Sequence, residues 1–382
     1  MRFFQLLVCM TASVMLFTEC KNGNAVNDGF LSITDSSESQ EVAFEDVATD
    51  ISIVPLICDE PMDGINSIKC YGSRAVMRAT GAESIYIFDD GKLTAKLNKV
   101  GRGRGEYTII SSFVYSPSRN ILYVQGAGSM ILKYSVPEME HLGTIQLKNV
   151  TGFAEHDDST LICRMTLDDE IPGIYFVNAD DGQVRGKLKD VCGLSFLMSP
   201  DMAYYSPAHR ILAELSSRSV ISEVSADING GEETILRFDF GKDGMPAKYD
   251  SIGSDTDLDF IMELGQYLND HRETVVTEVN KVMVKDGSVS FWYQAGLVGY
   301  KHYFRLEGDD IVKYTGFKAS GTNGFILPTG LTDDGRYVSV VDLLPETMFD
   351  ETGNRSPFTT ELEKVMKAQA FNNPVLVFYN IK

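Results

Sequence analysis

The fold class of this chain is indicated by the eight residues Ser84-Ile85-Tyr86-Ile87-Phe88-Asp89-Asp90-Gly91. Four β-branched or aromatic residues in a row are typical of a short, buried strand. The Asp-Gly pair that follows supplies the positive φ angles that a tight hairpin turn needs. The stretch therefore predicts a strand and the turn into the next strand.

The same combination of a short apolar run and a turn continues along the chain to its end. Further runs are Ile121-Leu122-Tyr123-Val124, Ile174-Tyr175-Phe176-Val177, Phe291-Trp292-Tyr293 and Val375-Leu376-Val377-Phe378-Tyr379. Further turns are Asp180-Asp181-Gly182, Asp286-Gly287 and Asp333-Asp334-Gly335. Short β-rich runs separated by turn residues predict an all-β chain.

One class of strand begins with a small polar or basic residue, and it recurs at a regular interval. Its starts are Ser84, Asn120, Ser159, His209, Ser288 and Arg336, at intervals of 36, 39, 50, 79 and 48 residues. Four of these five intervals lie near the period of about 40–50 residues for four-stranded propeller blades. We therefore predict a six-bladed β-propeller. A degenerate repeat can hide a seventh blade, and an array of two-sheet sandwiches is the alternative architecture.

One or two short helical insertions are predicted within this repeat. In the 79-residue interval, residues 257–270 have helical spacing at Leu258, Ile261, Met262, Leu264 and Leu268. Near the C-terminus, Thr360 and Glu363 have the spacing of a capping box, and Asn373-Pro374 ends the helix before the last strand. A chain that finishes in a strand suits ring closure, in which strands from both termini complete one blade.

Composition describes a folded, acidic protein. The 382 residues are 43% hydrophobic and include 54 acidic against 34 basic side chains, for a formal net charge of −20. A prior of about 150 residues per domain allows two or three domains, but the repeat indicates one propeller domain over residues 45–382. The charge argues against nucleic acid as a partner, because phosphates are neutralised by a basic face. It also argues against broad adsorption to anionic lipid.

The first twenty residues predict export. Arg2 precedes a mostly apolar run from Phe3 to Phe17, which is the pattern of a secretory signal. The run is too short for a membrane-spanning helix, which needs about 20 apolar residues. Cys20 resembles the acylated cysteine of a bacterial lipobox, although Glu19 stands where Gly, Ala or Ser is usual.

We therefore expect residues 1–19 to be a lipoprotein-type signal peptide, Cys20 to be lipidated and residues 20–44 to form a flexible tether. Cleavage by an ordinary signal peptidase is the alternative. Export places the protein in the periplasm or at the outer membrane, with the lipid anchor as its means of membrane attachment.

The segment Val100-Gly101-Arg102-Gly103-Arg104-Gly105-Glu106-Tyr107 carries a resemblance to a known family. It resembles the Gly-Arg-x-Gly-x-Gly-Glu-Tyr turn that follows the first hairpin in the 6-bladed beta-propeller lipoproteins of Bacteroides-type bacteria. The strand at residues 53–56 and the ending at residues 373–377 are also similar, so the resemblance covers about residues 45–382. It implies a propeller fold, export and lipid anchoring. The activity of that family is largely uncharacterised, so the resemblance implies no catalytic residues. Arg104 stands where Pro is more usual.

Arg102 and Arg104 are the candidate ligand-binding residues. The glycines around them complete neither a Walker A motif nor a dinucleotide fingerprint. The simpler interpretation is an inter-strand turn in which Glu106 and Tyr107 are held by the scaffold. In an acidic protein, two adjacent guanidinium groups can also hold a carboxylate- or sulfate-bearing ligand.

The sequence predicts no cofactor, and a divalent metal is a minor alternative. Asp255, Asp257 and Asp259 imitate the opening of an EF-hand, but Phe260 stands where that loop requires Gly. A helix N-terminus, which favours acidic residues, explains the run without a metal.

Cysteines and aromatic residues have ordinary structural interpretations. Buried free thiols are preferred for Cys58, Cys70, Cys163 and Cys192, although export would permit a Cys58–Cys70 disulfide. Trp292, Tyr293, Tyr300 and Tyr303 are able to stack on sugars, but alternation within strands favours packing in the core.

These patterns predict a ligand-binding or protein-interaction scaffold at the cell envelope, with a glycan, a peptide or an envelope protein as its partner. The sequence contains neither a Gly-x-Ser-x-Gly elbow nor a His-Glu-x-x-His motif, so no enzyme activity is predicted from a motif. The alternative is a propeller enzyme, either a glycan lyase or a metal-dependent hydrolase. Its carboxylates and histidines would converge in the central channel.

Overall fold

The computed structural model describes residues 31–33, 40–62, 64–81, 83–127, 130–165, 172–191, 203–206, 209–252, 256–295, 300–307, 310–350 and 353–382. Within these ranges, no helix combines the length and the apolar character that crossing a membrane requires.

The described strands form six sheets, each built mainly from one continuous stretch of chain. Blade 1 contains β4 (Ile65–Tyr71), β5 (Arg74–Ala79), β6 (Ile85–Asp89) and β7 (Lys92–Leu97). Blade 2 contains β8 (Ser112–Ser116), β9 (Ile121–Gln125), β10 (Met130–Ser135) and β11 (His141–Gln146). Blade 3 contains β12 (Val150–Asp157), β13 (Thr160–Met165), β14 (Gly173–Asn178) and β15 (Val184–Asp190).

The second half of the chain supplies three more sheets. Blade 4 contains β16 (Ala203–Ser206), β17 (His209–Glu214), β18 (Ser219–Val224) and β19 (Glu232–Asp239). Blade 5 contains β20 (Val276–Lys285), β21 (Ser288–Ala295), β22 (Tyr300–Glu307) and β23 (Asp310–Lys318), with β24 (Phe325–Ile326) paired to β23. Blade 6 contains β25 (Pro328–Leu331), β26 (Tyr337–Val341) and β27 (Val375–Ile381). The predicted six-bladed β-propeller is therefore confirmed.

Three N-terminal strands, which we call the N-terminal belt, run along the outer edges of the last three blades. They are β1 (Leu31–Ser32), β2 (Gln40–Ala43) and β3 (Ala48–Pro55). β1 pairs in parallel with β19, β2 pairs in parallel with β23, and β3 pairs antiparallel with β27. The prediction of a tether over residues 20–44 is therefore wrong for residues 31–33 and 40–44. A polar composition does not reveal this pairing, because edge addition uses backbone hydrogen bonds.

Strand β3 closes the ring, because it is the fourth strand of blade 6. Residue Ile53 lies opposite Val377, and Asn380 donates a hydrogen bond to Asp50 at 3.2 Å. Between β2 and β3, the short helix α1 (Phe44–Val47) places the fully buried Phe44 ring edge-on to Tyr379. The predicted pairing of strands from both termini is confirmed.

Five of the six predicted strand starts begin the second strand of a blade, and the sixth does not. Ser84 precedes β6, the third strand of blade 1, whereas the second strand begins at Arg74. The assignment was wrong because β5 also begins with a basic residue, and β6, with Ile85 to Phe88, is the more apolar of the two strands. The turn after β6 has positive φ angles at Asp90 (49°) and Gly91 (75°), as the Asp-Gly pair predicts.

Two arginines near the starts of second strands link neighbouring blades. Arg74 donates to the Tyr115 hydroxyl of blade 2, and Arg119 donates to the Asp158 carbonyl of blade 3 at 2.9 Å.

Besides α1, three further helices lie outside the sheets in the described part of the chain. They are α2 (Leu258–Asp270), α3 (Pro345–Met348) and α4 (Pro357–Ala368), and 3₁₀ turns occupy Gly241–Asp243 and Ala247–Ser251. Helix α2 lies between blades 4 and 5 and agrees with the predicted span. The Asp257 carboxylate caps it by accepting a hydrogen bond from the Phe260 backbone at 2.8 Å, so at this residue the cap explains the acidic run. Helix α4 begins four residues earlier than the predicted capping box, because Ser356 is its N-cap.

The core consists of hydrophobic clusters between adjacent blades. One cluster, for example, joins Val76 and Ile87 of blade 1 to Phe113 and Val124 of blade 2. Inner strands such as β6 and β8 are buried on both faces because each sheet is covered on both sides, whereas outer strands such as β15 are mostly exposed. Cys58, Cys70 and Cys163 are free thiols, and burial raises the pKa of Cys70 to about 12. Cys192 lies outside the described residues.

Candidate functional site

The Gly-Arg loop, residues 100–107, connects blade 1 to blade 2. Its two ends are joined by a bridge between Val100 and Tyr107. The Gly101 amide donates to the Tyr107 carbonyl at 2.9 Å, and the Tyr107 amide donates to the Lys99 carbonyl at 3.0 Å. The loop is therefore a closed turn with a fixed base.

Glu106 and Tyr107 hold this turn in place. The Gly103 amide donates to the Glu106 carboxylate at 2.7 Å, and a Cβ atom at Gly101 would come within 1.9 Å of that carboxylate. The buried Tyr107 hydroxyl donates to the Glu83 carbonyl at 2.8 Å. Both residues have the scaffold role that the sequence suggested.

Gly105 is the most constrained residue of the loop. Its φ angle is +74°, and a Cβ atom there would lie 2.6 Å from the His141 ring. The Tyr134 hydroxyl donates to the Gly105 carbonyl at 3.0 Å. Glycine is required here because both the backbone conformation and the space exclude a side chain.

The arginine cleft, a cavity of about 390 Å³, lies beside this loop. Arg102 and Arg104 line it together with the glycine backbone, and its other lining residues are Glu106, Tyr107, Thr108, Ala127, Met130, Leu132, Thr144 and Gln146. Both arginines are exposed, and neither forms an ion pair or a hydrogen bond with another described residue.

Several cations act on His141, which packs against Gly105 of the loop, although the chain as a whole is acidic. Burial, the Arg104 guanidinium and the ammonium groups of Lys99 and Lys133 lower the pKa of His141. Three fixed positive charges thus act on one imidazole. The arginine cleft is a local exception in a chain with a net charge of −20.

The channel cleft, a cavity of about 620 Å³, lies where blades 1, 5 and 6 meet. It is lined by parts of β4, β20, β25 and β26 and by the residues around β24. Strands β4, β20 and β25 are the first strands of their blades, and β25 contacts both of the others. The cleft therefore lies at the centre of the ring.

A β-bulge at Lys281 shapes one wall of the channel cleft. In β20, Met283 follows Asn280 by three residues. Their partners on β21, Trp292 and Ser290, are only two residues apart, so β20 has one extra residue. The extra residue adopts a φ of +49° at Lys281, which is unusual for a lysine. Its ammonium group lies 4.2 Å from the centre of the Trp292 ring.

Carboxylates do not gather at the channel cleft in the number that a metal centre requires. Glu278 and Asp342 line it. Across the described ranges, no group of three or more His, Cys, Asp or Glu side chains is placed to hold a metal ion.

Glu155, on the first strand of blade 3, is a titratable group that no sequence pattern indicated. Burial raises its pKa to about 7, and the neighbouring Asp158 carboxylate acts in the same direction. A hydrogen bond with Ser116 and the Arg119 charge oppose this shift without cancelling it.

The remaining predicted site residues are placed as follows. Trp292 and Tyr293 are buried, at 6% and 3% exposure, in agreement with core packing. The side chains of Tyr300 and Tyr303 lie outside the described part, as do Asp255 and Cys20. Sequence reasoning missed Asn280 and Lys281, because the bulge arises from pairing with β21 and leaves no motif.

Comparison with solved structures supports the fold. A Bacteroides fragilis protein described as exported has a TM-score of 0.66 at 16% identity, over 92% of this chain and 99% of that one. A Bacteroides vulgatus protein of the DUF4221 family has a TM-score of 0.46 at 11% identity, over 88% and 97% of the two chains. Only the first similarity supports a shared fold. No curated protein matches the chain.

A family model identifies the sequence more directly. The model described as "6-bladed beta-propeller", DUF5128, matches residues 21–255, which is more than half of the chain. It agrees with the six sheets and with the resemblance carried by the Gly-Arg loop. The chain belongs to this 6-bladed beta-propeller family.

Proposed function

We propose that this protein is an exported, lipid-anchored propeller that acts as a ligand-binding or protein-interaction scaffold at the cell envelope. Its arginine cleft binds a carboxylate- or sulfate-bearing group of a glycan, peptide or envelope protein. The signal-like N-terminus supports export, as does the similarity to a B. fragilis protein described as exported, and Cys20 supports anchoring.

The observation that carries the binding proposal is the pair of exposed arginines beside a cavity. Two guanidinium groups two residues apart can bind an anionic group with parallel hydrogen bonds. The closed turn beneath them limits the backbone freedom that binding would otherwise have to remove.

The electrostatic surroundings favour a small or local anionic group. Arg102 and Arg104 line the cleft with a single carboxylate, Glu106, which accepts a hydrogen bond from Gly103, while the net charge of −20 repels long polyanions. A single acidic sugar or acidic side chain fits this pattern better than a nucleic acid does.

Titration with glucuronate, galactose 6-sulfate and neutral galactose tests the binding proposal. We expect the two anions to bind and galactose to bind at least about tenfold more weakly at this cleft, with affinity falling as salt increases. The double variant Arg102→Ala/Arg104→Ala should abolish anion binding. Arg102→Lys/Arg104→Lys should retain part of it, because lysine keeps the charge and loses the bidentate geometry.

Arg272→Ala/Arg237→Ala is the matched control, because it removes the same two charges elsewhere on the chain. Equal losses in both double variants would contradict a specific site. So would undiminished anion binding by the Arg102→Ala/Arg104→Ala variant.

Labelling with a radioactive or clickable fatty acid tests the anchor. We expect Cys20→Ala to lose the label and globomycin to block processing of the wild type. Cys9→Ala, within the same signal segment, should keep the label. A labelled Cys20→Ala protein would contradict anchoring at this residue.

A further inference from the structure

The outer strands of most blades are protected against pairing with another chain. β1 and β2 cover the outer edges of blades 4 and 5, and on blade 1 the Leu93 amide of β7 donates to the Ile57 carbonyl at 3.1 Å. The outer strand of blade 6, β3, ends at Pro55. The outer strand of blade 3, β15, carries three basic side chains, which are Arg185, Lys187 and Lys189. Partner strands, prolines and charged side chains all discourage the addition of a further strand.

Strand β11 of blade 2 has none of these protections within the described part of the chain. It lies at the edge of its sheet and is paired on one side, with β10. Its six residues, His141–Gln146, include no lysine, arginine, carboxylate or proline, and the Leu142 side chain is 53% exposed. An uncharged edge of this kind is a template on which another extended chain can pair.

The backbone groups that β11 turns outward belong to Thr144 and Gln146. The Gly126 amide donates to the Met130 carbonyl at 3.3 Å, so the backbone of Met130 is turned toward β9. Because this direction alternates along a strand, the next residue of β10 is turned toward β11 and bonds with its partner there, Ile145. Thr144 and Gln146, on either side of Ile145, therefore present their N–H and C=O groups to the open edge.

The side chains of these same two residues line the arginine cleft. They share this cavity with Arg102 and Arg104. The Gly-Arg loop is packed against the strand, because a Cβ atom at Gly105 would lie 2.6 Å from the His141 ring. Side chains of directly opposite residues in paired strands lie on the same face of the sheet. A strand added to β11 would therefore place the side chain opposite Thr144 on the face where the two guanidinium groups lie.

We propose that the open edge of β11 binds an extended segment of a partner protein as a fifth strand of blade 2, with an Asp or Glu side chain of that segment in the arginine cleft. Backbone hydrogen bonds to Thr144 and Gln146 supply affinity, and the contact between carboxylate and guanidinium groups supplies selectivity. This inference rests on the anion binding proposed for the arginine cleft, and it identifies the ligand as an acidic peptide segment. The net charge of −20 disfavours long acidic runs, so one acidic side chain among neutral neighbours fits best.

Isothermal titration with the acetylated and amidated peptide Thr-Val-Thr-Glu-Thr-Val-Thr, and with related peptides in which Leu or Tyr replaces Val, tests this proposal. We expect binding, and we expect counterparts with a central Gln to bind about tenfold more weakly, because the charge-assisted hydrogen bonds are lost. Arg102→Ala/Arg104→Ala should weaken binding of the glutamate peptides by a similar factor. A Gln peptide with a free terminal carboxylate should stay weak. Tight binding of that peptide would assign the cleft to a chain terminus and overturn the proposal.

Backbone methylation of the peptide tests the added strand. N-methyl groups on one alternate set of its amides should weaken binding by about fivefold or more, and on the other set by less than about twofold, because every second amide of a strand faces its neighbour. Binding should also slow hydrogen exchange at the amides of Thr144 and Gln146. A carboxylate held by the arginines alone would leave these two amides unchanged and would respond equally to both methylated sets, and either result contradicts an added strand.

Two proline variants place the strand on β11. Thr144→Pro removes an outward N–H group and keeps the hydrogen bonds to β10, and it should weaken peptide binding by about fivefold or more. Thr144→Val is its matched control, because it keeps the amide, and it should lose less affinity than Thr144→Pro. If Thr144→Pro does not fold, Gln146→Pro makes the same test at the neighbouring outward amide.

Glucuronate separates this inference from the proposed function. If glucuronate binds the wild type and none of the glutamate peptides does, the added strand is overturned and the anion site stands. If neither glucuronate nor any peptide binds, both proposals fail. The inference is also overturned if folded proline variants of β11 bind the glutamate peptides as the wild type does.

Discussion

Gly105 and Gly231 share a left-handed backbone conformation, with φ angles of +74° and +72°, but differ in what surrounds them. A Cβ atom at Gly231 would meet nothing within 4 Å, whereas one at Gly105 would lie 2.6 Å from the His141 ring. The pair therefore separates the cost of backbone strain from the cost of overpacking.

We predict that Gly231→Ala lowers the free energy of unfolding by about 1 kcal/mol, through backbone strain alone. Gly105→Ala should cost roughly 1–3 kcal/mol more, because the new methyl group displaces His141. Urea unfolding followed by Trp292 fluorescence measures both losses. Equal losses would show that the Gly-Arg loop tolerates a side chain.

Glu155 should make stability depend on pH in the direction opposite to an ordinary ion-paired carboxylate. Its pKa is about 7 in the folded protein, against 4.5 for an unperturbed glutamate. Between these values the folded state holds a proton that the unfolded state lacks. The contribution of Glu155 to stability is therefore complete below about pH 4.5 and is lost as pH rises through about 7.

We predict that Glu155→Gln, measured against the wild type, becomes relatively more stable between about pH 5 and about pH 8. Urea unfolding at several pH values gives the difference. Glu138→Gln, at an exposed position, should show no such trend. Asp157, whose hydrogen bonds lower its pKa to about 2, titrates below this window and does not obscure it. A pH-independent difference for Glu155→Gln would contradict the raised pKa.

At the scale of single residues, the sequence predicted what local geometry decides. Asp90 and Gly91 form the expected turn because both tolerate positive φ. Lys281 was not predictable, because β20 reads as an ordinary alternating strand and its bulge depends on register with β21.

At the scale of elements, helix α4 was predicted correctly from the sequence, but its N-cap residue was not. Thr360 and Glu363 have capping-box spacing, yet the Ser356 hydroxyl accepts the hydrogen bond from the Thr359 amide, at 3.2 Å. Ser356 is followed by Pro357 at the first helical position, where proline loses no intrahelical hydrogen bond. That serine–proline pair was the stronger start signal.

We predict that Ser356→Ala lowers the free energy of unfolding by about 1 kcal/mol, because one backbone amide of the first turn loses its partner. Thr360→Ala should change it by less than about 0.5 kcal/mol, since Thr360 is an exposed residue inside the helix. Thermal and urea unfolding distinguish the two. A larger loss for Thr360→Ala would favour the cap predicted from the sequence.

The blade count was predicted correctly even though one strand was assigned to the wrong place in its blade. Ser84 precedes the third strand of blade 1 and the other starts precede second strands. The count survived because each blade contributes one conspicuous polar-to-apolar start, whichever strand carries it. The channel cleft was beyond sequence reasoning, because its residues come from blades 1, 5 and 6.

At the scale of the whole molecule, the ring depends on β3 to cover the edge of β27. We predict that a chain starting at residue 57 unfolds of order 10 °C lower than one starting at residue 31. The exposed edge of β27 should also promote self-association. Thermal unfolding and size-exclusion chromatography test this. A monomer of unchanged stability would show that blade 6 does not need its fourth strand.

The N-terminal belt also determines which strand pairs can form only late in folding. Its strands are synthesised first, but their partners β19, β23 and β27 come much later, and the Asn380–Asp50 hydrogen bond joins residues 330 positions apart. Contacts of such long sequence separation form late, because the intervening chain must first become ordered. During synthesis the N-terminal belt therefore stays unpaired until its partner strands have been made. The seven-residue strand β27 then pairs with β3 and closes the ring.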